Sequence, residues 1–228
     1  MAEREKRAYD ASRRRELAAQ SRARVLDAAR RHFTEHGYAA TTIAAIAADA
    51  DVSVQSITKN FGNKPGLVRA LFDTALVGDD DATPLADRSW ITAIHAEPDP
   101  RTKLRMFADT LADILPRTAP IQLLIREAAA DPGLDAVWQQ IKFGRLMGMT
   151  DLADNLAAGG HLRAGITVEY ARDILWTYSA PEIYELLVIE RGHSTQDYAD
   201  FIASGAIAAL LPAPSASRPT KKATRRRV

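Results

Sequence analysis

The amino-acid sequence predicts an all-α protein made of two helical domains. Glycine and proline are scarce, at 12 and 11 of 228 residues, and runs of β-branched residues are few, which favours helices over strands. Apolar residues recur at helical spacing before Val77 and again after Pro100, and the stretch between them is acidic and rich in turn-forming residues. The chain is long enough for one small domain and one larger domain.

Composition narrows the class of protein further. Cysteine is absent, which removes disulfides and thiolate metal sites and is compatible with a reducing cytoplasm. No apolar run approaches the roughly 20 residues that a transmembrane helix needs. The charged N-terminus lacks the apolar segment of a secretory signal. We therefore expect a cytoplasmic protein that does not enter membranes.

Both ends of the chain are basic, although the net charge is only +1. Residues 1–24 contain eight Lys or Arg and four Asp or Glu, whereas residues 212–228 contain six Lys or Arg and no acidic residue. Residues 1–20 lack an apolar stripe and are predicted to be a disordered basic arm; residues 212–228 are predicted to be a disordered basic tail. Either segment can reach a polyanion or stay a solvated end.

A first helix is predicted to begin after Ser21, which can serve as its N-cap, and to end at Gly37. Val25, Ala29 and Phe33 give this helix one apolar face. Because glycine adopts a left-handed backbone without steric cost, Gly37 is predicted to be the C-cap at which the chain turns back.

Residues 41–64 are predicted to form a helix, a tight turn and a second helix. One apolar helical pattern stops at Ala50, and another begins after Ser53. Thr41 or Thr42 can cap the first helix and Ser53 the second, while Asp51 tolerates the left-handed backbone of a sharp corner. The second helix exposes side chains suited to phosphates and base edges, namely Gln55, Ser56, Lys59 and Asn60. This is the pattern of a DNA-binding helix-turn-helix.

A fourth helix is predicted to start after Asn63, with Pro65 in its first turn, where a missing amide costs nothing. It would end near Leu76 and join the DNA-binding domain, residues 21–76, to the second domain, residues 77–211. This helix is predicted to transmit movements between the two domains.

The second domain is predicted to be a helical bundle. Its helices are separated by breaks at Pro116, at Asp131-Pro132-Gly133 and at Gly159-Gly160. The last two helices are predicted at about Val168–Arg191, with a kink at Pro181, and at about Thr195–Leu211. They carry more apolar surface than one small bundle face requires, so they form either intrachain core or an interface between subunits.

Motifs of common enzymes are absent, among them G-x-S-x-G, G-x-x-x-x-G-K-S/T, G-x-G-x-x-G and H-E-x-x-H. His32 and His36 stand four residues apart as metal ligands do, but no third ligand is placed to complete a site. We therefore expect no catalytic site, no metal site and no cofactor.

The region from Phe33 to Leu67 resembles the DNA-binding domain of the tetracycline-repressor (TetR) family. The resemblance lies in the ordered pattern F-x-E-x-G-Y-x-x-T-T-I-x-x-I-A-x-x-A-x-V-S-x-x-S-I-x-x-x-F-x-x-K-x-x-L. Three positions depart from the family, which usually has glycine at Asp51, tyrosine at Thr58 and often histidine at Asn60.

This resemblance implies a dimeric transcriptional regulator, most often a repressor, that binds a palindromic operator on double-stranded DNA and responds to a small molecule. The residues expected to face base edges are Val54, Gln55, Ser56 and Lys59. Those expected to hold phosphates are Thr42, Ser53, Thr58, Asn60 and Lys64. The segment Trp176–Gly192 resembles the family's dimer interface, which implies a homodimer formed through the last two helices.

The resemblance also implies a ligand cavity in the helices that precede the dimer pair. Large or flexible apolar residues there are candidates to line it, although each alone is more often core: Phe107, Leu111, Trp138, Phe143, Met147 and Trp176. Two alternatives stay open. One is a regulator controlled by a protein partner, with no ligand pocket. The other is an all-helical carrier or enzyme whose function resides in its apolar pocket.

Overall fold

The computed structural model describes residues 2–78 and 88–213, and all regular elements in these two ranges are helices, as predicted. In chain order they are α1 (Ala2–Ala40), α2 (Ile43–Asp49), α3 (Val54–Phe61), α4 (Lys64–Val77), α5 (Ser89–Ala96), α6 (Pro100–Glu127), α7 (Pro132–Ala158), α8 (Val168–Tyr178), α9 (Pro181–Tyr184) and α10 (Thr195–Leu210). A π-helical turn, Glu185–Glu190, continues α9. Within the described ranges, no helix has the length and apolar character needed to cross a membrane.

Helix α1 is longer than predicted. The sequence analysis places a disordered arm at residues 1–20 and an N-cap at Ser21, whereas the structure continues the helix back to Ala2. This segment contains no Gly or Pro and is rich in Ala, Arg and Glu, which are strong helix formers that can extend a helix already nucleated by packing. The interruption predicted at Gly37 is confirmed, because its φ of 73° and ψ of 174° lie outside the helical region.

Helices α1 to α4 pack around one core, and the core extends into the second domain. The buried apolar residues of these four helices include Phe33, Ile46, Ile57 and Leu67. The same cluster contains Ile121 and Ile125 of α6 and Leu134, Val137 and Ile141 of α7. The predicted boundary at residue 77 coincides with the end of α4, but the packing crosses it. The domain formed by α1 to α4 therefore rests directly on two helices of the second domain.

The stretch predicted to be rich in turns contains a helix. Helix α4 ends at Gly78, which has a left-handed φ of 78°. Residues 79–87 lie outside the described part of the chain, and α5 follows at Ser89–Ala96. Ile94 of α5 is buried in a second core, which is formed mainly by α6, α7, α8 and α10. Helix α5 therefore belongs to the second domain.

Helix α6 continues through Pro116 and Pro120, where the sequence predicts a break at Pro116. Each proline removes one backbone N–H, but both rings are exposed and the helix is packed on both sides of them. Before the prolines Leu104 is buried in the second core, and after them Ile125 is buried in the first core. Tertiary packing thus overrides the local helix-breaking preference, and α6 connects the two cores.

Helix α7 has the bounds that its flanking turns predict, and it also reaches both cores. Asp131 caps its N-terminus, and the backbone reverses after it at Gly159 and Gly160. Ile141 lies in the first core and Leu152 in the second.

The segment predicted as one kinked helix, Val168–Arg191, is interrupted. Helix α8 ends at Tyr178, and Pro181 occupies the first turn of α9. Proline crowds the preceding turn and lacks the amide that would continue a helix, so the chain restarts instead of bending. The capping box of α10 is present as predicted, with Ser194 and Asp197 each bonding the other's backbone amide. Residues 214–228 of the predicted basic tail lie outside the described residues.

Candidate nucleic-acid interface

Hydroxyl groups cap both helices of the helix-turn-helix. Thr42 Oγ1 accepts a hydrogen bond from the amide of Ala45 at 3.1 Å, and Ser53 Oγ accepts one from the amide of Ser56 at 3.1 Å. Thr41 takes a different role: its hydroxyl is buried and lies 2.8 Å from the carbonyl of Gly37. The sequence allows Thr41 or Thr42 as the first cap, and the structure selects Thr42.

The corner between α2 and α3 has the backbone that the sequence predicts. Asp51 has a φ of 52°, and it is the one non-glycine residue with a positive φ in the described chain. The amide of Val52 then donates to the carbonyl of Ala47 at 3.0 Å. This turn fixes the angle at which α3 leaves α2.

Helix α3 buries one face and exposes the other. Ile57 and Phe61 point into the first core. Exposed side chains of α3 are Gln55, Thr58, Lys59 and Asn60, while Ser56 is half-buried. Val54, at the N-terminal end of the helix, is 43% exposed. All of the residues predicted to face base edges are therefore at least partly accessible.

Two of the exposed side chains of α3 already use their donors within the helix. Thr58 Oγ1 donates to the carbonyl of Val54 at 3.1 Å, and Asn60 Nδ2 donates to the carbonyl of Ser56 at 2.9 Å. Gln55 and Lys59 have no hydrogen-bond partner among the described residues. Gln55 and Lys59 are therefore the side chains of α3 most available to a bound duplex.

Lys64 is predicted to hold a phosphate, and the structure shows that it also has a partner within the protein. It is half-buried at the start of α4, and its ammonium lies 4.0 Å from the centre of the Tyr38 ring. Burial lowers the pKa of Lys64, and the charge of Asp131 acts in the opposite direction. The phosphate contact stays a prediction.

Tyr38 contacts both Lys64 and the residue that caps α7. Tyr38 donates from its hydroxyl to Asp131 Oδ2 at 3.3 Å; burial, together with Asp131, raises the pKa of Tyr38 to about 12. The other carboxylate oxygen of Asp131 caps α7 through the amides of Gly133 and Leu134. This contact was missed by sequence reasoning, because Tyr38 and Asp131 lie 93 residues apart and only the cap is visible as a local pattern.

The start of α7 is also in close contact with α4. A Cβ atom added to Gly133 would lie 2.6 Å from Cγ of Pro65, so only glycine allows this approach. Together with the Tyr38–Asp131 hydrogen bond, this contact couples the helix-turn-helix to the second domain.

Helix α1 adds basic groups beside α3. The Arg22 guanidinium lies 4.9 Å from the centre of the Phe61 ring, and Arg24 Nε donates to the carbonyl of Ala50 at 3.3 Å. A concavity of about 310 Å³ lies between the two helices, lined by Ala18, Ala19, Ser21, Arg22, Ser56 and Asn60. Arg22 was not among the predicted DNA contacts. Its position directly after the basic residues 1–20 could have indicated it.

The six residues predicted to line a ligand cavity do not converge. Phe107 is buried in the second core and Leu111 packs against it, whereas Trp138 packs against the first core. Phe143 and Met147 are 64% and 43% exposed on the outer face of α7. Trp176 is half-buried on α8 beside Arg145. A concavity of about 440 Å³ lies elsewhere, between the π-helical turn and α10, lined by Leu187, Arg191, His193, Asp197, Tyr198 and Phe201.

The histidine pair is engaged with a carboxylate. His32 Nε2 lies 3.4 Å from Asp49 Oδ2, and the rings of His32 and His36 meet edge to face at 5.6 Å. In the described ranges, no three metal-ligating side chains come together.

Comparison with known proteins gives matches at two levels. Residues 25–71 match the family described as bacterial regulatory proteins, tetR family. An uncharacterized HTH-type transcriptional regulator of Bacillus subtilis (strain 168), YvkB, is 52% identical over 48 residues, which make up 21% of this chain and 25% of that protein. The sequence match thus spans about a quarter of this relative's length.

Solved structures match over most of the chain. FadR from Bacillus subtilis in complex with stearoyl-CoA has a TM-score of 0.67 at 19% identity, over 82% of this chain and 98% of that chain. NalD, the secondary repressor of the MexAB-OprM multidrug efflux pump in Pseudomonas aeruginosa, has a TM-score of 0.65 at 17% identity, over 85% and 97%. At these identities the likeness establishes the fold, which is an N-terminal helix-turn-helix followed by a helical domain.

Proposed function

We propose that this chain, whose residues 25–71 match the tetR family of bacterial regulatory proteins, is a homodimeric transcriptional repressor. It binds a palindromic operator with α3 and leaves the operator when a small molecule binds the second domain. The exposed face of α3 carries this proposal. Gln55 and Lys59 project from a helix whose other face is anchored by Ile57 and Phe61, which is the arrangement of a recognition helix in the major groove.

An unpaired apolar surface near the C-terminus supports dimerisation through the last two helices. Four large apolar side chains there are about half exposed in the single chain: Tyr170 at 49%, Leu186 at 53%, Ile189 at 53% and Phe201 at 51%. Large apolar groups exposed to this extent on neighbouring elements are typical of protein interfaces. A twofold dimer pairs identical surfaces and presents two recognition helices, so its operator must be a palindrome.

Coupling between the two domains supports control by a ligand. Helices α6 and α7 each contribute to both cores, and Asp131 at the start of α7 holds Tyr38 of the DNA-binding domain. A ligand that shifts these helices changes the separation of the two recognition helices, which must stay about 34 Å apart to enter successive major grooves. A protein of similar fold, FadR from Bacillus subtilis, was solved in complex with stearoyl-CoA, which supports a ligand-responsive protein.

Selection of bound fragments from random duplex DNA tests the proposal. We expect enrichment of an inverted repeat with half-sites about one helical turn apart. The matched control is the double variant Gln55→Ala and Lys59→Ala, which changes two exposed side chains without removing core and should enrich no repeat. Enrichment of no sequence by the wild-type protein would contradict DNA-sequence recognition and favour a carrier or enzyme.

Ligand control has its own test. A ligand that weakens operator binding must itself bind more weakly to the operator complex by the same factor, typically about 5- to 150-fold. Calorimetric titration with and without saturating operator measures that factor. Equal affinities would mean that the second domain binds the ligand without regulating the first, and a regulator controlled by a protein partner would then be the better account.

A further inference from the structure

Three buried nitrogen atoms in the second domain lack a hydrogen-bond acceptor among the described residues. They are Nε and Nη1 of Arg145 on α7 and Nε1 of Trp176 on α8. The two side chains are in contact, because Arg145 Cζ lies 4.9 Å from the centre of the Trp176 ring. Buried N–H groups in native proteins almost always have an acceptor, so these donors form an unsatisfied group on adjacent helices.

Glu182, the carboxylate whose charge acts on Arg145, is engaged by another arginine. Arg126 on α6 lies 3.6 Å from Glu182 Oε1 and 3.1 Å from Glu185 Oε2. Burial lowers the pKa of Arg145, while Glu182 and Tyr198 act in the opposite direction. An arginine nevertheless stays protonated in proteins. Arg145 is therefore a partly buried cation whose Nε and Nη1 are buried, and it forms no direct ion pair with a carboxylate among the described residues.

Apolar residues of α7 flank Arg145 on both sides and place it at the junction of the two cores. On α7, Ile141 belongs to the first core, Met149 and Leu152 pack in the second, and Arg145 lies between them. Helix α8 ends at Tyr178, and the π-helical turn Glu185–Glu190 follows after the short helix α9. Such turns are rare and occur frequently at functional sites.

We propose that Arg145 and Trp176 bind the anionic group of the effector, and that this effector is a monocarboxylate with an apolar body. The inference rests on the proposed function and names the class of its ligand. All of the unsatisfied atoms are donors, so they require an acceptor group. One guanidinium compensates one negative charge, which favours a carboxylate over a phosphate dianion, and the apolar neighbours favour an alkyl or aryl body.

The position of the pair also explains how such a ligand would act. A carboxylate held by Arg145 and Trp176 would join α7 to α8 at the point where α7 passes from one core to the other. Any shift of α7 reaches Asp131 at its N-terminus and, through it, Tyr38. Binding would therefore move the element on which the DNA-binding domain rests.

Calorimetric titration of the full-length dimer with two pairs of probes tests the site. Decanoate is compared with 1-decanol, and 2-naphthoate with 2-naphthol, so that each pair differs in the carboxylate. We expect at least one carboxylate to bind about 10- to 100-fold more tightly than its neutral counterpart, as a charged hydrogen bond predicts. The advantage should disappear in Arg145→Gln. If neither carboxylate is preferred, or if Arg145→Gln keeps the preference, the inference is overturned.

Lys142→Gln is the matched control, because Lys142 lies on the same helix, with its ammonium 5.7 Å from the centre of the Trp138 ring. It should keep the preference for the carboxylate. All three proteins should bind the selected operator equally well without a probe, since neither position faces the DNA-binding surface. If the wild-type protein did not bind the operator, the proposed function would be refuted. Failure of the carboxylate site and failure of the proposed function therefore give different results.

Thermal unfolding of the apo protein gives a second readout. Arg145→Met keeps an unbranched apolar side chain and removes the unpaired guanidinium, so its Tm should equal or exceed that of the wild type. A lower Tm would mean that the guanidinium is already paired in the resting dimer, for example with a carboxylate of the partner subunit. That result would contradict an open anion site.

Discussion

At the scale of single residues, the DNA-binding surface depends on contacts between near neighbours in the chain. Ser53 and Thr42 cap helices that begin one residue later, and Asp51 sets the corner between them. Each interaction spans only a few residues, so residue type and spacing were enough to predict it. The recognition face of α3 follows from the same local pattern.

Asp51 allows a prediction about stability. A left-handed backbone costs a non-glycine residue about 1–2 kcal/mol, and glycine avoids this strain. Glycine, however, loses about 0.5–1 kcal/mol more chain entropy on folding than other residues do. We expect Asp51→Gly to raise the free energy of unfolding by up to about 1 kcal/mol, or by roughly 2–4 °C in Tm. Asp51→Ala, which keeps a Cβ but loses the local tolerance of aspartate, should lower the Tm. The opposite order of the two variants in calorimetry would show that the corner is not strained.

Gln55 allows a prediction about specificity. If Gln55 contacts a base edge, Gln55→Ala should change base preference at one symmetric pair of operator positions, at about 1–3 kcal/mol per contact. Asn63→Ala serves as a comparison, because it removes only the cap of α4 and should leave base preference unaltered. Base preference is read from repeated selection on random duplexes. Identical preferences in wild type and Gln55→Ala would remove Gln55 from the base-reading residues.

Other residues could not be assigned from the sequence, because their partners are remote in the chain. Lys64 lies over the ring of Tyr38. The hydroxyl of Tyr38 donates to Asp131, which is 93 residues further along the chain. Arg145 meets Trp176 across two helices. Trp176 was predicted to line a cavity by its type alone, and Phe143 and Met147, chosen in the same way, are exposed. Residue type does not indicate which face of a helix meets which neighbour.

At the scale of elements, local preference predicted most helix starts correctly, but it placed the start of α1 at Ser21 instead of Ala2 and predicted a break inside α6. The predicted caps Asn63 and Thr167 and the predicted capping box of Ser194 mark the starts of α4, α8 and α10, and α7 starts at the predicted break, where Asp131 is the cap. Pro116 suggested a break, yet α6 continues because both of its halves are buried. The N-terminal half of α1 lacks an apolar face and was predicted to be disordered, although its composition favours an exposed helix.

The N-terminal half of α1 carries a prediction about electrostatics. Residues 1–20 contain six Lys or Arg and lead into Arg22 beside α3. Deleting them should lower operator affinity and reduce the slope of log affinity against log salt by about 0.9 for each phosphate that the protein no longer neutralises. Deleting residues 214–228 should have the smaller effect. Filter-binding or fluorescence titrations over a range of salt concentrations give both slopes, and unchanged slopes would show that both ends are solvated.

At the scale of the whole molecule, two cores share two long helices. The sequence predicted two domains with the fourth helix joining them, and a helix, α4, is present at that place. It did not predict that α6 and α7 reach into the first core, because that depends on how the helices pack. This shared packing makes the second domain part of the support of the DNA-binding domain, so a ligand there has a direct structural route to α3.

The central claim is that a symmetric dimer reads two half-sites with two copies of α3. The most direct measurement is the affinity and stoichiometry of the full-length protein on the selected duplex and on one with five base pairs inserted between the half-sites. Half a helical turn moves one half-site to the opposite side of the duplex. We predict two protomers bound on the selected duplex and an affinity lowered about 100-fold or more by the insertion, toward non-specific binding. One protomer per duplex, with equal affinity for both spacings, would contradict the account.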